Sequence, residues 1–320
     1  MATTTPPPVD QSRNGSGRTT MKAVQFAEYG EPAVLRVVEI DEPHAGAGQV
    51  RIAVRAAGVN PIDWKIRAGH MREMMPMTLP AGVGLDAAGV VDEVGEGVHG
   101  IAVGDAVFGS GSATYAEYAV LSSWAEKPAG LSFEEAAGYP AAVETAIRIL
   151  NQVGVKPGET LLVSGAAGGV GSAVLQIAHH RGINVIATAS ERNQEYLSSL
   201  GATATTYGDG LVERVRALAP KGIDAALDIA GSGVIPELIS LTGDPKKVLS
   251  IADFTAPKLG AQVSGTAVNR AGALAEAAQL FATGAFRIPV AKTFSLTASG
   301  EAQTLSAAGH VVGKLVIKVS

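Results

Sequence analysis

Two rhythms of hydrophobic and polar positions divide the chain. From Met21 to about residue 128, short runs such as "MKAVQF", "VLRVVEI", "QVRIAV" and "AGVVDEV" alternate apolar and polar residues between Gly and Pro turns. Neighbouring side chains of a strand point to opposite faces, so this period of two predicts half-buried, mostly antiparallel strands. From about residue 130 the spacing lengthens. "SFEEAAGYPAAVETAIRIL" has the Ser start, early Glu pair and three-to-four-residue apolar spacing of a helix, which Pro140 must bend or split. Strands then alternate with helices: "TLLVSG", a helix from Gly169 to about Arg181 stopped by Gly182, "NVIATA", a helix ending at Gly201, "ATTYG", another helix, and "AALDIAG". "KVLSIADF" adds a strand and "NRAGALAEAAQLFATGAF" a helix. Short apolar strands separated by helices predict βαβ units and a parallel sheet. After about residue 286, "IPVAKTFSL" and "GKLVIKVS" return to strand-like alternation, which allows the last part to rejoin the first.

A chain of 320 residues suits two domains better than one. Residues 1–20, "MATTTPPPVDQSRNGSGRTT", have almost nothing to bury and read as a disordered extension or an expression remnant. With 47% hydrophobic and 17% charged residues the composition is that of an ordinary globular protein, so function must come from pattern. A net charge of −5 without a Lys/Arg cluster gives no footprint for nucleic acid. Zero cysteines exclude disulfides, a thiolate nucleophile, iron–sulfur clusters and Cys-ligated zinc. No apolar run approaches the ~20 residues that span a bilayer, and the N-terminus lacks the apolar core of a signal peptide. A cytoplasmic enzyme or binding protein, without a membrane or nucleic-acid partner, is the expectation.

The most specific signal is "LLVSGAAGGVGSAVLQIA". A buried strand runs into Gly165, Gly168, Gly169 and Gly171, with Ala167 and Val170 between them, and a helix begins at once. Without β-carbons the backbone turns tightly and approaches a pyrophosphate, whose charge meets the unpaired N–H groups of the helix N-terminus. At the head of several βαβ units this turn predicts a dinucleotide. An acidic residue at the tip of the next strand would grip the ribose hydroxyls of NAD. Here "IATASERN" places Ser190 at the tip with Arg192 beyond, a hydroxyl and a cation suited to the 2′-phosphate of NADPH. Glu191 leaves NAD open, because a strand one residue longer would make it the ribose-binding acid.

With these pieces placed, the chain from Met21 to Ser320 resembles the medium-chain dehydrogenase/reductase superfamily, and within it the zinc-free, zeta-crystallin-like quinone oxidoreductase and enone reductase branch. The resemblance rests on "AAGVNPIDWKIRAG", "GLDAAGVVDEVGEGV", "VGDAVFG", "TYAEYAV", "GAAGGVGSAVLQIA", "VLSIADF" and "GHVVGKLVIKV", in that order. It implies an α/β protein with a GroES-like β-barrel catalytic domain, residues 21–142 and 286–320, around a Rossmann-type doubly wound parallel sheet domain, residues 143–285. It also implies a homodimer or higher homo-oligomer. Zinc-dependent relatives carry Cys at the position of Asn60 and a His–Glu pair at the positions of Leu85 and Asp86. The first two ligands are absent here, so no metal is expected.

Hydride transfer to an isolated carbonyl concentrates charge on one oxygen, which zinc bears as a Lewis acid. Reducing a quinone or the activated C=C of an enone spreads that charge into an anion that hydrogen-bond donors can hold. The resemblance implies such a reductase, with Asn60 facing nicotinamide and substrate. Lys65 is either a second donor or an ordinary lysine, solvated or paired with Asp63 or Asp86. Asp63 braces the loop, Trp64 packs or walls the pocket, and Thr145 approaches the nicotinamide. The resemblance carries the pyrophosphate to Gly168, Gly169, Val170 and Gly171 and the 2′-phosphate to Ser190 and Arg192. Tyr207 falls near the adenosine, Ile251 and Ala252 beside the nicotinamide, Gly313 and Lys314 near the cleft, and Tyr115 at the substrate mouth or in the core. Two alternatives stay open: an enoyl reductase dedicated to a cyclic intermediate, for example of aromatic polyketide synthesis, and a cofactor-binding protein without turnover.

Overall fold

A computed structural model describes residues 19–267 and 269–319. The extension expected over residues 1–20 lies outside them except for its last two residues. The alternating runs form β1 (Thr20–Phe26), β2 (Arg36–Asp41), β3 (Val50–Val59), β4 (Ala81–Gly82), β5 (Asp86–Val94), β6 (Ala106–Ser112) and β7 (Tyr118–Glu126). A 3-10 turn, Pro32–Val34, and one short α-helix, α1 (Pro61–Arg67), directly after β3, interrupt them. The run around Pro140 is two helices, α2 (Phe133–Ala137) and α3 (Pro140–Val153). Ser132 and Glu135 cap α2 reciprocally through each other's backbone N–H. Pro140 opens α3, where a missing N–H is no loss.

Strand and helix then alternate: β8 (Thr160–Ser164), α4 (Gly169–His180), β9 (Asn184–Ala189), α5 (Gln194–Ser199), β10 (Thr203–Thr206), α6 (Leu211–Leu218), β11 (Ala225–Asp228), α7 (Ile235–Thr242), β12 (Val248–Ser250), β13 (Gln262–Val263) and α8 (Arg270–Ala282). The chain ends with β14 (Val290–Ser295), α9 (Ser299–Ala308) and β15 (Lys314–Lys318). Strands β8 to β13 make a six-stranded sheet, β10-β9-β8-β11-β12-β13, in which every pairing is parallel. The sheet grows outward from β8 through β9 to β10, then resumes on the other side with β11. That reversal opens a crevice at the C-terminal ends of β8 and β11, the place where such sheets bind ligands.

In the other large sheet, β14-β15-β3-β5-β6-β7, an extra β3–β7 pairing closes β3, β5, β6 and β7 into a ring. The C-terminal β15 pairs antiparallel with β3, so the last strands do join the first sheet. This is the GroES-like barrel beside the Rossmann-type sheet that the motifs implied. One core runs through both, from Ala56, Ala88 and Phe108 to Leu161, Val174 and Leu227. At the seam Tyr139 makes edge-to-face pairs with Phe108 and Phe286, with ring centroids 6.2 and 5.2 Å apart. Each such pair is worth about 0.5–1.5 kcal/mol beyond its area, and together they hold the start of α3 against the barrel.

Gly171 shows how tightly turn and helix pack. A β-carbon there would lie 2.3 Å from the Ala166 carbonyl oxygen. Gly171→Ala gains up to ~1 kcal/mol of helix propensity, yet overpacking of about 1–3 kcal/mol should win. Thermal unfolding followed by circular dichroism should show a lowered Tm; an unchanged or raised value would mean the turn has room to relax.

Candidate active site

The glycine turn leaves β8 at Gly165, whose φ of 82° is the left-handed region and whose added β-carbon would meet Ala230 N at 2.9 Å. Around the missing β-carbon of Gly168, by contrast, there is nothing within 4 Å. The first α4 bond joins Ser172 N–H to the Gly168 carbonyl at 2.8 Å, so the N–H groups of Gly169, Val170 and Gly171 have no acceptor within the helix. Open space beside N–H groups that have no acceptor within the helix fits a pyrophosphate. The Ala167 carbonyl accepts from Gly313 N–H at 3.1 Å, tying the C-terminal segment across the turn.

Along the rim, β9 stops at Ala189 and Ser190 is the first residue beyond it. Glu191 belongs to the 3-10 turn that follows, so the strand end itself carries no acid. Arg192 is exposed and makes no ion pair or hydrogen bond among the described residues. The register Thr206↔Ala189 sets Tyr207 beside Ser190, and that ring is 54% exposed. Further along, Ile251 N–H donates to the Asp228 carbonyl at 3.0 Å and Ala252 N–H to Ser250 Oγ at 3.1 Å. The buried Asp228 carboxylate accepts from Ser250 Oγ at 2.7 Å and Gly231 N–H at 2.9 Å, bracing both loops. Thr145, half-buried on α3, accepts a bond from Arg148, which also pairs with Glu144.

The barrel's register builds the other half of the site. β3 is central, with β15 on one side and β5 on the other: Val59 faces Leu315, and Gly58 faces Asp86. Asn60, one step past the end of β3, is therefore flanked by Lys314 and Asp86. Its Oδ1 accepts from Lys314 Nζ at 2.5 Å, and its Nδ2 donates to Asp86 at 2.9 Å. Lys314 also donates to the Val59 carbonyl at 2.9 Å. Asp86 accepts further bonds from Ala141 N–H, at the positive start of α3, and from Ser110 Oγ. Residues 60, 86 and 314 are all buried.

A second carboxylate lies below. Asp63 accepts from Asn60 N–H at 2.8 Å and Tyr115 O–H at 2.9 Å on one oxygen, while its Oδ1 is buried without a partner. Burial pushes the Asp63 pKa up to about 7, outweighing both bonds. Burial likewise raises Asp86 and lowers Lys314, each opposed by the other's charge, and holds the Tyr115 hydroxyl well above its usual value. Tyr115 is thus a buried, hydrogen-bonded core residue and lines no mouth. Below it the Arg67 guanidinium donates to Gln303 Oε1 at 2.8 Å, linking α1 to α9.

Lys65 does not join this group. Residues two apart on a helix face different ways, so Asp63 turns inward while Lys65 Nζ lies over the Trp64 ring, 5.7 Å from its centroid. Neither Asp63 nor Asp86 is its partner. Asp86 and Ser110 escaped sequence reasoning as members of the cluster, and Asp228 escaped it altogether. The signal was a lone acid in an apolar strand, "GLDAAGVV" and "AALDIAG". Among the described residues no three His, Asp or Glu side chains converge to hold a metal ion, and no helix is long and apolar enough to cross a membrane.

A parallel sheet with a glycine turn at its switch point, facing a polar cluster in a barrel, defines a nicotinamide dinucleotide-binding oxidoreductase fold. Two family models match: the alcohol dehydrogenase GroES-like domain over residues 46–136 and the zinc-binding dehydrogenase over residues 169–282. The chain is 31% identical over 324 residues to the chloroplastic quinone-oxidoreductase QR1 of Triphysaria versicolor, covering 93% of this chain and 98% of that one. It is 38% identical over 228 residues to 2-methylene-furan-3-one reductase of Solanum lycopersicum, covering 67% of this chain and 58% of the relative. A mycobacterial protein solved with NADPH superposes with a TM-score of 0.80 at 27% identity, over 93% and 100% of the two chains. A structure described as an NAD-dependent alcohol dehydrogenase gives 0.83 at 30%, over 94% and 100%. The chain belongs to the medium-chain dehydrogenase/reductase superfamily, in its zinc-free quinone oxidoreductase branch.

The raised Asp63 pKa has a consequence for stability. Its folded value of about 7 exceeds the unfolded ~3.9, so its stabilisation is fully present below pH ~3.9 and lost as pH rises through about 7. Melting temperatures of the native chain and Asp63→Asn across pH 4 to 8 should show the native chain's advantage shrinking with rising pH. A difference independent of pH would contradict the assignment.

Proposed function

We propose that this chain is an NADPH-dependent reductase that transfers hydride to a quinone or to the activated C=C of an enone without a metal ion. The observation that carries this reading is the Asn60 carboxamide, held between an ammonium and a carboxylate beside the dinucleotide crevice. Bound in that crevice, reduced nicotinamide would supply the hydride. Gly168 to Gly171 would hold the pyrophosphate, Ser190 and Arg192 the 2′-phosphate, and Tyr207 the adenosine. Thr145, Ile251, Ala252 and Gly313 would line the nicotinamide end. Asn60 donates to the oxygen on which charge develops, the place zinc takes in metal-dependent relatives. Lys65, turned onto Trp64, stands outside the hydrogen-bonded cluster. We further propose residues 21–142 with 286–320 as the catalytic domain, residues 143–285 as the cofactor domain, and a homodimeric assembly.

NADPH and NADH oxidation, followed by absorbance with a simple quinone, an acyclic enone, a cyclic enone and an aldehyde, tests the reading. Turnover of the first three with NADPH is expected; reduction of the aldehyde alone would contradict it, and no turnover at all would favour a cofactor-binding protein. Arg192→Ala should raise the KM for NADPH about tenfold or more, a charged contact being worth roughly 1.5–3 kcal/mol. An unchanged KM would remove Arg192 from the 2′-phosphate site.

A further inference from the structure

A carboxamide has two nearly isosteric orientations, and its neighbours decide which end faces a substrate. At Asn60 those neighbours are chemically one-sided. The Lys314 ammonium can only donate, and it meets Oδ1; the Asp86 carboxylate, whose two oxygens also accept from Ala141 N–H and Ser110 Oγ, meets Nδ2. Turning the amide over would set NH2 against ammonium and oxygen against carboxylate, losing two charge-assisted bonds at once. Nδ2 carries two hydrogens, and Asp86 takes one.

The route of the Lys314 side chain shows that this contact is built into the fold. A β-carbon at Gly169 would lie 2.5 Å from Lys314 Cδ, and one at Gly138 would lie 3.1 Å from its Cγ. Two glycines on different elements thus clear a channel for an unbranched stem. Two of the three ammonium donors are spent on Val59 and Asn60, and Lys314 is 6% exposed.

We infer that Lys314 is a positioning residue for the reduction: with Asp86 it locks the Asn60 amide oxygen inward, so the amide meets the developing anion with an N–H and never with its oxygen. This rests on the reductase reading and assigns Lys314 to the substrate side of the site, acting through Asn60 and not through contact with the cofactor.

The test uses Lys314→Met, which keeps an unbranched stem without a donor, and Lys314→Gln, which keeps a neutral donor. For each, the NADPH dissociation constant comes from cofactor fluorescence and the hydride-transfer rate from single turnovers at saturating NADPH with a simple quinone. Lys314→Met should bind NADPH within about twofold of the native protein and transfer hydride about 100-fold more slowly, the scale of one lost oxyanion donor. Lys314→Gln should recover at least about tenfold of that loss. A dissociation constant raised tenfold with an unchanged rate at saturation would make Lys314 a cofactor contact and overturn the inference. So would an unchanged rate in Lys314→Met, or equal losses in both variants accompanied by equal falls in Tm. If the native protein turns over none of the acceptors, the reductase reading fails first. The Asn60 side-chain amide signals in a 1H–15N spectrum then decide separately: they should move in Lys314→Met and Asp86→Asn alike, and signals unmoved in both would overturn the inference.

Discussion

An ammonium ion removed from water loses several kcal/mol of solvation that only well-placed acceptors return. Lys314 meets that constraint with the Val59 carbonyl, the Asn60 amide oxygen and the nearby charge of Asp86. None of these can move alone. Val59 and Asn60 end the central strand of the barrel, and the two flanking strands begin at Lys314 and Asp86. The start of α3, held at the seam by Tyr139, delivers Ala141 N–H to the same carboxylate. Gly169 and Gly138 leave room where the lysine stem passes beside the glycine turn. Barrel, seam and turn therefore meet on one buried charge.

Such a site is cross-braced by hydrogen bonds among its own residues. Donors and acceptors in a dry junction act more strongly than in water, and being fixed they need no rearrangement when charge develops. The network continues downward from Asp63 through Tyr115, and Arg67 with Gln303 ties α1 to α9. On the opposite wall Asp228 and Ser250 do for the loops after β11 and β12 what Asp63 does for the Asn60 loop, satisfying backbone N–H groups where strands end. Both walls of the crevice are thus braced by buried acids, Asp63 as the sequence led one to expect and Asp228 from within a run read only as a strand.

Periodicity made the architecture legible, because strand alternation and helix spacing are local properties. The glycine turn was legible for the same reason: strand, turn and helix are consecutive, and the turn's chemistry depends on its own backbone. The Asn60 cluster was only half legible. Asn60 stood out as a polar residue after an apolar strand, but its partners lie 26 and 254 positions away and meet only through sheet register. Lys65 attracted attention because it is close in sequence, and helix geometry turns it elsewhere. The ammonium that meets Asn60 is that of Lys314, at the far end of the chain.

The central claim is that the Asn60 amide bears the charge that zinc bears in metal-dependent relatives. Its most direct test is the single-turnover hydride-transfer rate of Asn60→Leu, with NADPH prebound and a simple quinone as acceptor. A fall of about 100-fold or more, with NADPH bound as tightly as before, is the predicted result. A rate equal to that of the native protein would contradict the account.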